Sequence, residues 1–281
     1  MAALNCVLPE KKKQYRHPLP VRLMHWINVM TLVVLLMSGL NIFNAHTALY
    51  WGESSYGKKP PLLEIRGVED NEGNLIGTTR LFSYKINTTG FLGASKDTDG
   101  DLIKRGFPEW ITIPSVKWLA MGRRWHFFFA WLLVVNGLSF VIYSLLSRHI
   151  GRELLPTRQD LRSIGMSLVD HLLLRRPKGE EAARYNVLQK MAYLSVIFLI
   201  APAMVLMGLG MSPALDALSP ALVSLFGGRQ SMRTLHFFIA WALVAFMFVH
   251  VFEVIVNGFW NNVRSMVTGY FKVPSESDNE Q

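Results

Sequence analysis

The hydrophobic pattern of the chain is dominated by four long apolar stretches, at residues 23–43, 127–146, 191–211 and 235–258. Each has about the 20 residues that a helix needs to cross the roughly 30 Å hydrocarbon core of a bilayer. Pro202 lies inside the third stretch and should kink that helix, which is tolerated when neighbouring groups satisfy the freed carbonyl. The pattern therefore predicts an all-α fold, an integral membrane four-helix bundle built as a single domain over residues 1–281.

The longest polar part of the chain, residues 46–118, connects the first and second apolar stretches. Two short runs within it, 62–68 and 74–81, flank the turn-forming residues 70–73 and predict a small β-hairpin. We expect this segment to be a long extramembrane loop inserted between helices one and two.

The composition agrees with a membrane protein, because 51% of the residues are hydrophobic and only 17% are charged. The single cysteine, Cys6, excludes an internal disulfide framework, a cysteine-ligated iron–sulfur cluster and a covalently attached c-type haem. The net charge of +9 does not require a nucleic-acid partner, because the basic residues lie beside the apolar runs. Membrane topology explains that charge more simply.

Basic residues predict the orientation of the helices. The flank before the first stretch has five basic residues and one acidic residue, and residues 148–190 have nine basic and five acidic ones. Loop 46–118 is balanced, with nine of each. Because basic residues collect on the cytoplasmic side of short loops, we expect both termini to be cytoplasmic and loop 46–118 to lie on the outer side. The basic residues of the first flank are Lys11, Lys12, Lys13, Arg16 and Arg22.

Four histidines lie within the predicted helices or directly at their start: His25, His126, His236 and His250. An imidazole in hydrocarbon is costly without a partner, although an interfacial hydrogen bond explains any one of them equally well. His236 and His250 are 14 residues apart, which places them on one helix face about 21 Å from each other. With the topology above, His25 lies at the level of His250, and His126 at the level of His236.

An internal repeat supports this pairing. Residues 123–134 align without gaps to residues 233–244, and eight of the twelve positions are identical. The shared positions include an arginine, a histidine and a tryptophan, which two merely similar apolar helices would not be expected to keep in register.

Two histidines at one level, facing each other across a bundle, can hold a flat metal macrocycle such as haem through both axial positions. Zinc or copper remains the competitor, although such sites normally recruit further ligands, and Glu253 is the only carboxylate within the apolar stretches. Gly39 and Gly137 share faces with His25 and His126, where they admit either a macrocycle or close helix packing. Four arginines are candidate partners for haem propionates or simply snorkel to the interface: Arg22, Arg123, Arg124 and Arg233.

The chain resembles the bacterial four-helix di-haem cytochrome b subunits of nickel–iron hydrogenase and formate dehydrogenase, and in particular those called thiosulfate reductase cytochrome b. The resemblance is carried by residues 17–26 (HPLPVRLMHW), by 44–46 (NAH) with 49–52 (LYWG), by His126, and by the pair of His236 and His250. It implies two haem b groups in the bacterial inner membrane, one bound by His25 and His250 and the other by His126 and His236. It also implies electron transfer between quinone and a periplasmic oxidoreductase, of molybdopterin type, docked on loop 46–118.

Under this reading the chain is the electron-transfer subunit of an oxidoreductase complex, embedded in membrane lipid, with quinone as its substrate. Glu253, one turn from His250, is the candidate proton relay for quinone chemistry, although it could instead bond a neighbouring helix. Other classes stay open: a self-contained cytochrome b such as a superoxide oxidase or ferric reductase, a histidine-lined metal transporter, and a structural anchor.

Overall fold

The computed structural model of the protein describes residues 13–55, 59–173 and 184–273. Lys11 and Lys12, which contribute to the predicted orientation, and Cys6 lie outside the described residues. In chain order the elements are β1 (Lys13–Tyr15), α1 (Leu19–Phe43), β2 (Ala48–Leu49), β3 (Leu63–Glu69), β4 (Leu75–Leu81), β5 (Tyr84–Asn87), β6 (Gly93–Lys96), β7 (Leu102–Arg105), a short 3₁₀ turn (Glu109–Ile111), α2 (Leu119–Leu146), a π-helical turn (Ile150–Leu154), α3 (Arg158–Arg162), α4 (Ile164–Leu172), α5 (Val187–Ser195), a second π-helical turn (Val196–Ile200), α6 (Ala201–Gly210), α7 (Pro213–Leu218), α8 (Pro220–Leu225), α9 (Arg229–Val256), α10 (Phe259–Thr268) and β8 (Tyr270–Lys272).

Four helical segments are long and apolar enough to cross a membrane: Leu19–Phe43, Leu119–Leu146, Val187–Gly210 and Arg229–Val256. Each begins between four and eight residues before the apolar stretch that predicted it. The added first turns contain charged residues such as Arg22 and Arg123, whose long side chains can reach water while the backbone stays helical. Hydropathy therefore detects only the apolar centre of each span.

The third span is interrupted near its middle. A π-helical turn at Val196–Ile200 separates α5 from α6, and Pro202 is the second residue of α6. Proline has no N–H to donate, so the carbonyl one turn earlier loses its usual partner and the helix rewinds. The interruption thus lies at the place where the sequence predicted a kink.

The chain divides into two compact units, which are described separately. The first contains the described residues up to Trp26, Leu138–Leu199 and the residues from Val244 onward; the second contains Ile27–Gly137 and Ile200–Leu243. Both combine helices with strands. The predicted all-α class is therefore confirmed only for the four long helices, because the loop after α1 forms sheets whose short alternating runs favour pairing over helix.

In the second unit, the loop between α1 and α2 folds around a four-stranded antiparallel sheet with strand order β2-β3-β4-β5. The predicted hairpin is observed as β3 and β4, paired from Leu63 with Leu81 to Glu69 with Leu75. A second hairpin, β6 and β7, packs against this sheet through glycines. A Cβ at Gly77 would lie 2.8 Å from the Ala94 nitrogen, so the two layers approach closely only because that side chain is absent.

Hydrogen bonds and apolar packing fix this β-structured loop to the end of α1. Asn44 donates to the Phe107 carbonyl at 3.2 Å and accepts from the Phe107 N–H at 2.6 Å. Asn41 donates to the carbonyls of Pro114 and Val116. A buried apolar cluster lies beside these bonds and comprises Leu40, Phe43, Leu49, Ile65 and Phe107.

In the first unit, the two ends of the described chain pair with each other. Strand β1 pairs antiparallel with β8, with Gln14 opposite Phe271. The Arg16 guanidinium lies between two aromatic rings, 5.1 Å from the Tyr185 centroid and 4.9 Å from the Phe271 centroid. These cation–π contacts and the strand pair secure the segment that leads into α1.

Candidate haem-ligand pairs

The structure brings the four intrahelical histidines together in two pairs. Pair one is defined as His25 on α1 with His250 on α9, and its ring centroids are 6.3 Å apart. Pair two is defined as His126 on α2 with His236 on α9, and its ring centroids are 6.2 Å apart. Each pair lies within one of the two units. These are the pairings that topology predicted.

Each imidazole of pair two rests against a glycine of another helix. A Cβ at Gly39 on α1 would lie 3.3 Å from His126 Cε1, and a Cβ at Gly208 on α6 would lie 3.2 Å from His236 Cε1. Contacts this short are tighter than ordinary van der Waals packing. The two glycines therefore provide the room in which the imidazole rings sit.

The Nδ1 atom of each pair-two imidazole has a hydrogen-bond acceptor. His236 Nδ1 lies 3.1 Å from the Met204 carbonyl, which can only accept. His126 Nδ1 lies 3.1 Å from Ser38 Oγ, and this hydroxyl already donates to the Val34 carbonyl at 2.6 Å. Both rings must therefore carry their proton on Nδ1, which leaves the Nε2 lone pair free to bind a metal.

Pair one is surrounded by aromatic rings. Trp26 meets His25 edge-on at 5.3 Å, and Phe246 stacks on His250 at 6.0 Å with an interplanar angle of 16°. Tyr193 approaches His250 edge-on at 6.1 Å. His25 Nδ1 is buried and has no hydrogen-bond partner among the described residues. Aromatic packing therefore surrounds both rings, and the buried Nδ1 of His25 is held without a hydrogen bond from the described residues.

The separations fit two imidazoles bound to one metal from opposite sides. Metal–nitrogen bonds of about 2 Å, with about 1.1 Å from each nitrogen to its ring centroid, place the two centroids about 6.2 Å apart. The observed values are 6.2 and 6.3 Å. The ring separation in both pairs is therefore that of two imidazoles bound to one metal from opposite sides.

Each pair supplies two imidazole donors. Over residues 13–55, 59–173 and 184–273, the structure contains no cluster of three or more His, Cys, Asp or Glu side chains able to hold a metal ion. Zinc and copper sites normally use three or four protein ligands. Two opposed imidazoles suit a metal whose other positions are filled by a macrocycle.

Comparison with known families decides the identity. The protein-family model for prokaryotic cytochrome b561 matches residues 16–269. The chain belongs to the prokaryotic cytochrome b561 family. It is therefore a multi-pass membrane cytochrome b, and haem b is the cofactor that this family implies. The bacterial cytochrome b resemblance drawn from the sequence is confirmed.

A curated relative of this cytochrome comes from Azospira oryzae and is provisionally named protein-methionine-sulfoxide reductase subunit YedZ1. The two are 28% identical over 239 residues, which cover 84% of this chain and 87% of the relative. No solved structure gives a significant match. The similarity to the relative thus extends over both units of the cytochrome.

The four arginines predicted to meet haem propionates have different surroundings. Arg123 and Arg124 are exposed near His126, and Arg123 lies 5.5 Å from the Phe127 ring centroid. Arg233 donates to the Ala48 carbonyl at 2.8 Å and also to the His46 carbonyl. Arg22 donates to the Val267 carbonyl at 2.8 Å. The first two guanidiniums are therefore open to an anion, whereas the other two are engaged with backbone carbonyls.

The bonds of Arg233 connect the β-structured loop to α9 three residues before His236. Thr234 adds a hydrogen bond to the Tyr50 carbonyl at 2.7 Å, and Ser231 Oγ accepts from the Gly52 N–H at 2.8 Å. Residues 44–46 and 49–52, which carried part of the sequence resemblance, thus belong to the segment that holds this loop against α9 beside His236.

The two glycines predicted to lie beside haem ligands, Gly39 and Gly137, have different surroundings. Gly39 contacts His126 of pair two, whereas the spacing had related it to His25. A Cβ at Gly137 would meet nothing within 4 Å. Gly208, Ser38 and Met204 were not predicted. Finding Gly208 would have required knowing which residue of the third span faces His236. Spacing along the sequence does not give the register between these two helices.

Glu253 contacts a histidine from another helix. Its Oε2 lies 3.3 Å from His171 Nε2 and accepts a hydrogen bond from the Asn257 amide at 2.9 Å. His171 belongs to the basic connector of residues 148–190, where a histidine is expected to be solvated. Its side chain is instead only 26% exposed, because α4 carries it against α9.

Three other histidines lie outside the spans and have depressed proton affinity. Burial, reinforced by the charge of Arg16, lowers the pKa of His17 to about 3. Burial and then the charge of Arg233 lower the pKa of His46, and burial lowers the pKa of His149 against the opposing charge of Glu153. All three are neutral at physiological pH and add no positive charge near the ligand pairs.

Proposed function

We propose that this protein is a di-haem b cytochrome that passes electrons between the quinone pool and a periplasmic oxidoreductase. Haem b supplies a one-electron couple between ferric and ferrous iron. The observation that carries the proposal is the presence of two histidine pairs, each with the ring separation of an axially ligated iron. One unbroken helix, α9, contributes a ligand to both pairs.

The chain's own residues prepare pair two for ligation. Ser38 and the Met204 carbonyl accept from Nδ1, which fixes the tautomer and turns each Nε2 toward its role as ligand. Because Gly39 and Gly208 have no side chain, nothing at these two positions pushes the imidazole rings out of place. A ligand that is held before the cofactor binds loses less entropy on binding, so these four positions should favour tight haem retention at pair two.

The proposed orientation has both termini in the cytoplasm and the loop between α1 and α2 in the periplasm, with the helices spanning the bacterial inner membrane. Residues 148–190 carry nine basic and five acidic residues, and the loop carries nine of each. The basic excess supports the cytoplasmic location of the connector between α2 and α5. Large apolar side chains on the spans are exposed, including Phe128 and Phe248, and would contact membrane lipid.

The proposed docking surface for the partner is the β-structured loop. Its exposed aromatic residues suit a protein interface, with Trp110 and Phe91 forming one contact pair at 6.2 Å. The name of the Azospira relative makes a protein-methionine-sulfoxide reductase the first partner to test. An oxidoreductase with a molybdopterin cofactor is the partner class that we propose.

Exposed arginines supply the proposed contacts to haem propionates. Arg123 and Arg124 suit this role best, because both are exposed and precede His126 by three and two residues. Arg22 and Arg233 retain further N–H groups beyond those that bond carbonyls, so they remain candidates at pair one and pair two respectively. Glu253, one turn from His250, is the proposed proton relay for the quinone.

Stepwise reduction and reoxidation in vesicles tests the function. The purified protein is reconstituted with haem, mixed with a quinol in stopped flow, and followed through its haem absorbance. We expect haem reduction by quinol and reoxidation when oxidised periplasmic protein-methionine-sulfoxide reductase and its substrate are added. Haem that is reduced by dithionite but never by quinol would exclude the quinone pool as the electron donor.

A further inference from the structure

A contact between α4 and α9 joins two ionisable side chains that belong to neither ligand pair. His171 Nε2 lies 3.3 Å from Glu253 Oε2, with side chains 26% and 18% exposed. The other ring nitrogen, Nδ1, lies 3.2 Å from the Ser167 carbonyl one turn earlier on α4. Because a carbonyl only accepts, this second contact is a hydrogen bond only when Nδ1 carries a hydrogen.

With the hydrogen on Nδ1, a neutral His171 presents the lone pair of Nε2 to Glu253. A carboxylate oxygen also presents lone pairs, so the contact would be repulsive without a further proton. One proton on either atom makes it attractive, as an imidazolium with a carboxylate or as a neutral imidazole with a carboxylic acid. The geometry therefore describes a site that holds one proton shared between two residues.

Neighbouring groups position the carboxyl group and do not supply this proton. The Asn257 amide donates to Glu253 Oε2 at 2.9 Å and to the Glu253 carbonyl at 2.9 Å. Tyr193 on α5 is within electrostatic reach of Glu253. Lys190, on the same helix as Tyr193, is paired with Asp160 at 2.9 Å.

The remaining charged groups of this region are engaged elsewhere. Glu153 acts on His149 and Tyr185, and Asp170 beside His171 has an interaction of its own. Within the part of the chain that the structure describes, His171 is the basic group that Glu253 contacts directly as an ion pair.

The shared proton lies close to a haem ligand in sequence and in space. Glu253 follows His250 by three residues on α9, which is less than one helical turn and places both side chains on the same side of the helix. A unit change of charge at a metal bound by His250 alters the electrostatic potential at Glu253, and partial burial limits screening by water. His171 is the more exposed of the two side chains and is therefore the end of the contact nearer to water.

We propose that His171 and Glu253 form a redox-linked proton site for the haem of pair one. The step would balance: with haem held by His25 and His250, uptake of one electron would be accompanied by transfer of one proton from water to the pair of His171 and Glu253, and reoxidation would return that proton to water. The electron comes from the quinol, or in the experiment from dithionite. This inference rests on the proposed function, because it requires haem at pair one.

Equilibrium potentiometry tests the proposal with the H126A variant as background, because only pair one should then retain haem. The midpoint potential of the haem in H126A, without further substitution, is expected to fall as pH rises. The slope should be at most about 59 mV per pH unit, the value for one proton per electron. E253Q and H171Q should both bring this slope toward zero, since neither variant holds the shared proton. E153Q, which changes an exposed carboxylate of the same connector, should retain the parent slope.

Two further measurements distinguish failure of this proposal from failure of the proposed function. Haem content, measured first in each sample, reports failure of the proposed function if pair one binds no haem. Proton uptake on reduction, measured with a pH indicator in unbuffered solution, should be smaller in E253Q and H171Q than in E153Q. If haem binds and neither variant changes the slope or the uptake, the contact is only a structural tether and the proposal is overturned. Should one variant lose haem, the other carries the same test.

Discussion

Pair one and pair two each consist of two histidines at nearly the same ring separation, 6.3 and 6.2 Å, but are built differently. The pair-two rings each have a glycine behind them and a hydrogen-bond acceptor on Nδ1. The pair-one rings are held by Trp26, Phe246 and Tyr193, and His25 Nδ1 has no partner among the described residues. Equal ring separation can thus be reached by directional bonds in one site and by aromatic packing in the other.

This difference suggests a division of properties between the two sites. A hydrogen bond to Nδ1 raises the basicity of an imidazole ligand and fixes its orientation, so pair two should hold its metal more firmly. Pair one has instead a proton-sharing contact one turn away, between Glu253 and His171. We expect pair two to be the more rigid site and pair one to be the site that responds more strongly to pH.

The largest effect should come from filling the space beside a pair-two imidazole. In G208V the new side chain begins 3.2 Å from His236 Cε1 and must displace the ring, so most of the haem at pair two should be lost. Haem at pair one should remain. G137A is the matched control, because a Cβ there meets nothing within 4 Å. The haem-to-protein ratio measures both, and equal losses in the two variants would contradict the role of the glycine.

Removing the arginine that holds the loop against α9 should have the next largest effect. R233Q loses two hydrogen bonds from a charged group to backbone carbonyls, which contribute roughly 1.5–3 kcal/mol each. The loop should become sensitive to protease, and haem at pair two should be lost at a lower temperature. R152Q makes the same change at an exposed arginine that has no proposed contact with haem or with the loop, and it should leave both unchanged. Unaltered proteolysis of R233Q would show that the loop is held by its other bonds.

A smaller effect is expected from the hydrogen bond to the His126 ligand. S38A removes the acceptor of Nδ1, and loss of such a bond typically lowers metal affinity by about 10- to 100-fold. The affinity of pair two should fall while that of pair one stays constant. S144A is a matched control, because Ser144 is also buried but its Oγ has no hydrogen-bond partner among the described residues. Haem dissociation rates measure the affinities, and similar rates in the two variants would count against the tautomer argument.

The smallest expected effect concerns pH and the unit that contains pair one. His17 has a pKa of about 3 when folded and of 6.5 when exposed. The unfolded chain therefore binds a proton that the folded chain does not. The resulting contribution of His17 to the free energy of unfolding is fully present above about pH 6.5 and is lost as pH falls from 6.5 toward 3. Between pH 7 and 6 the loss should be about 0.7 kcal/mol.

Thermal loss of haem, followed at pH 7 and pH 6, measures this effect. Pair-one haem should be released at a lower temperature at pH 6, and H17Q should remove that difference because glutamine does not titrate. A pH-dependent shift of equal size in H17Q would assign the effect to another group.

Much of the site could be predicted from the sequence, because helical geometry alone relates residues on one helix. The 14-residue spacing of His236 and His250 and the repeat around His126 sufficed to predict both pairs. The partners of these residues on other helices could not be predicted in the same way. Gly208 and Met204 depend on the register of the third span, which changes at the π-helical turn before α6.

The loop and the connector show a second limit. The β3–β4 hairpin was predicted because its turn residues are local, whereas the packing of β6 against it depends on Gly77 and Gly93, which are distant from each other in the sequence. From the sequence alone His171 is expected to be solvated, because it lies in the basic connector of residues 148–190. Its contact with Glu253 arises from the packing of two helices that are about 80 residues apart along the chain.

The central claim is that the chain holds two haems through two separate histidine pairs. The most direct test is a reduced-minus-oxidised spectrum with pyridine haemochrome quantification against protein, for the parent and for H25A and H126A. The account predicts two b haems per chain in the parent and the loss of one in each variant, with different spectral components lost. A single haem in the parent, removed equally by either substitution, would contradict it.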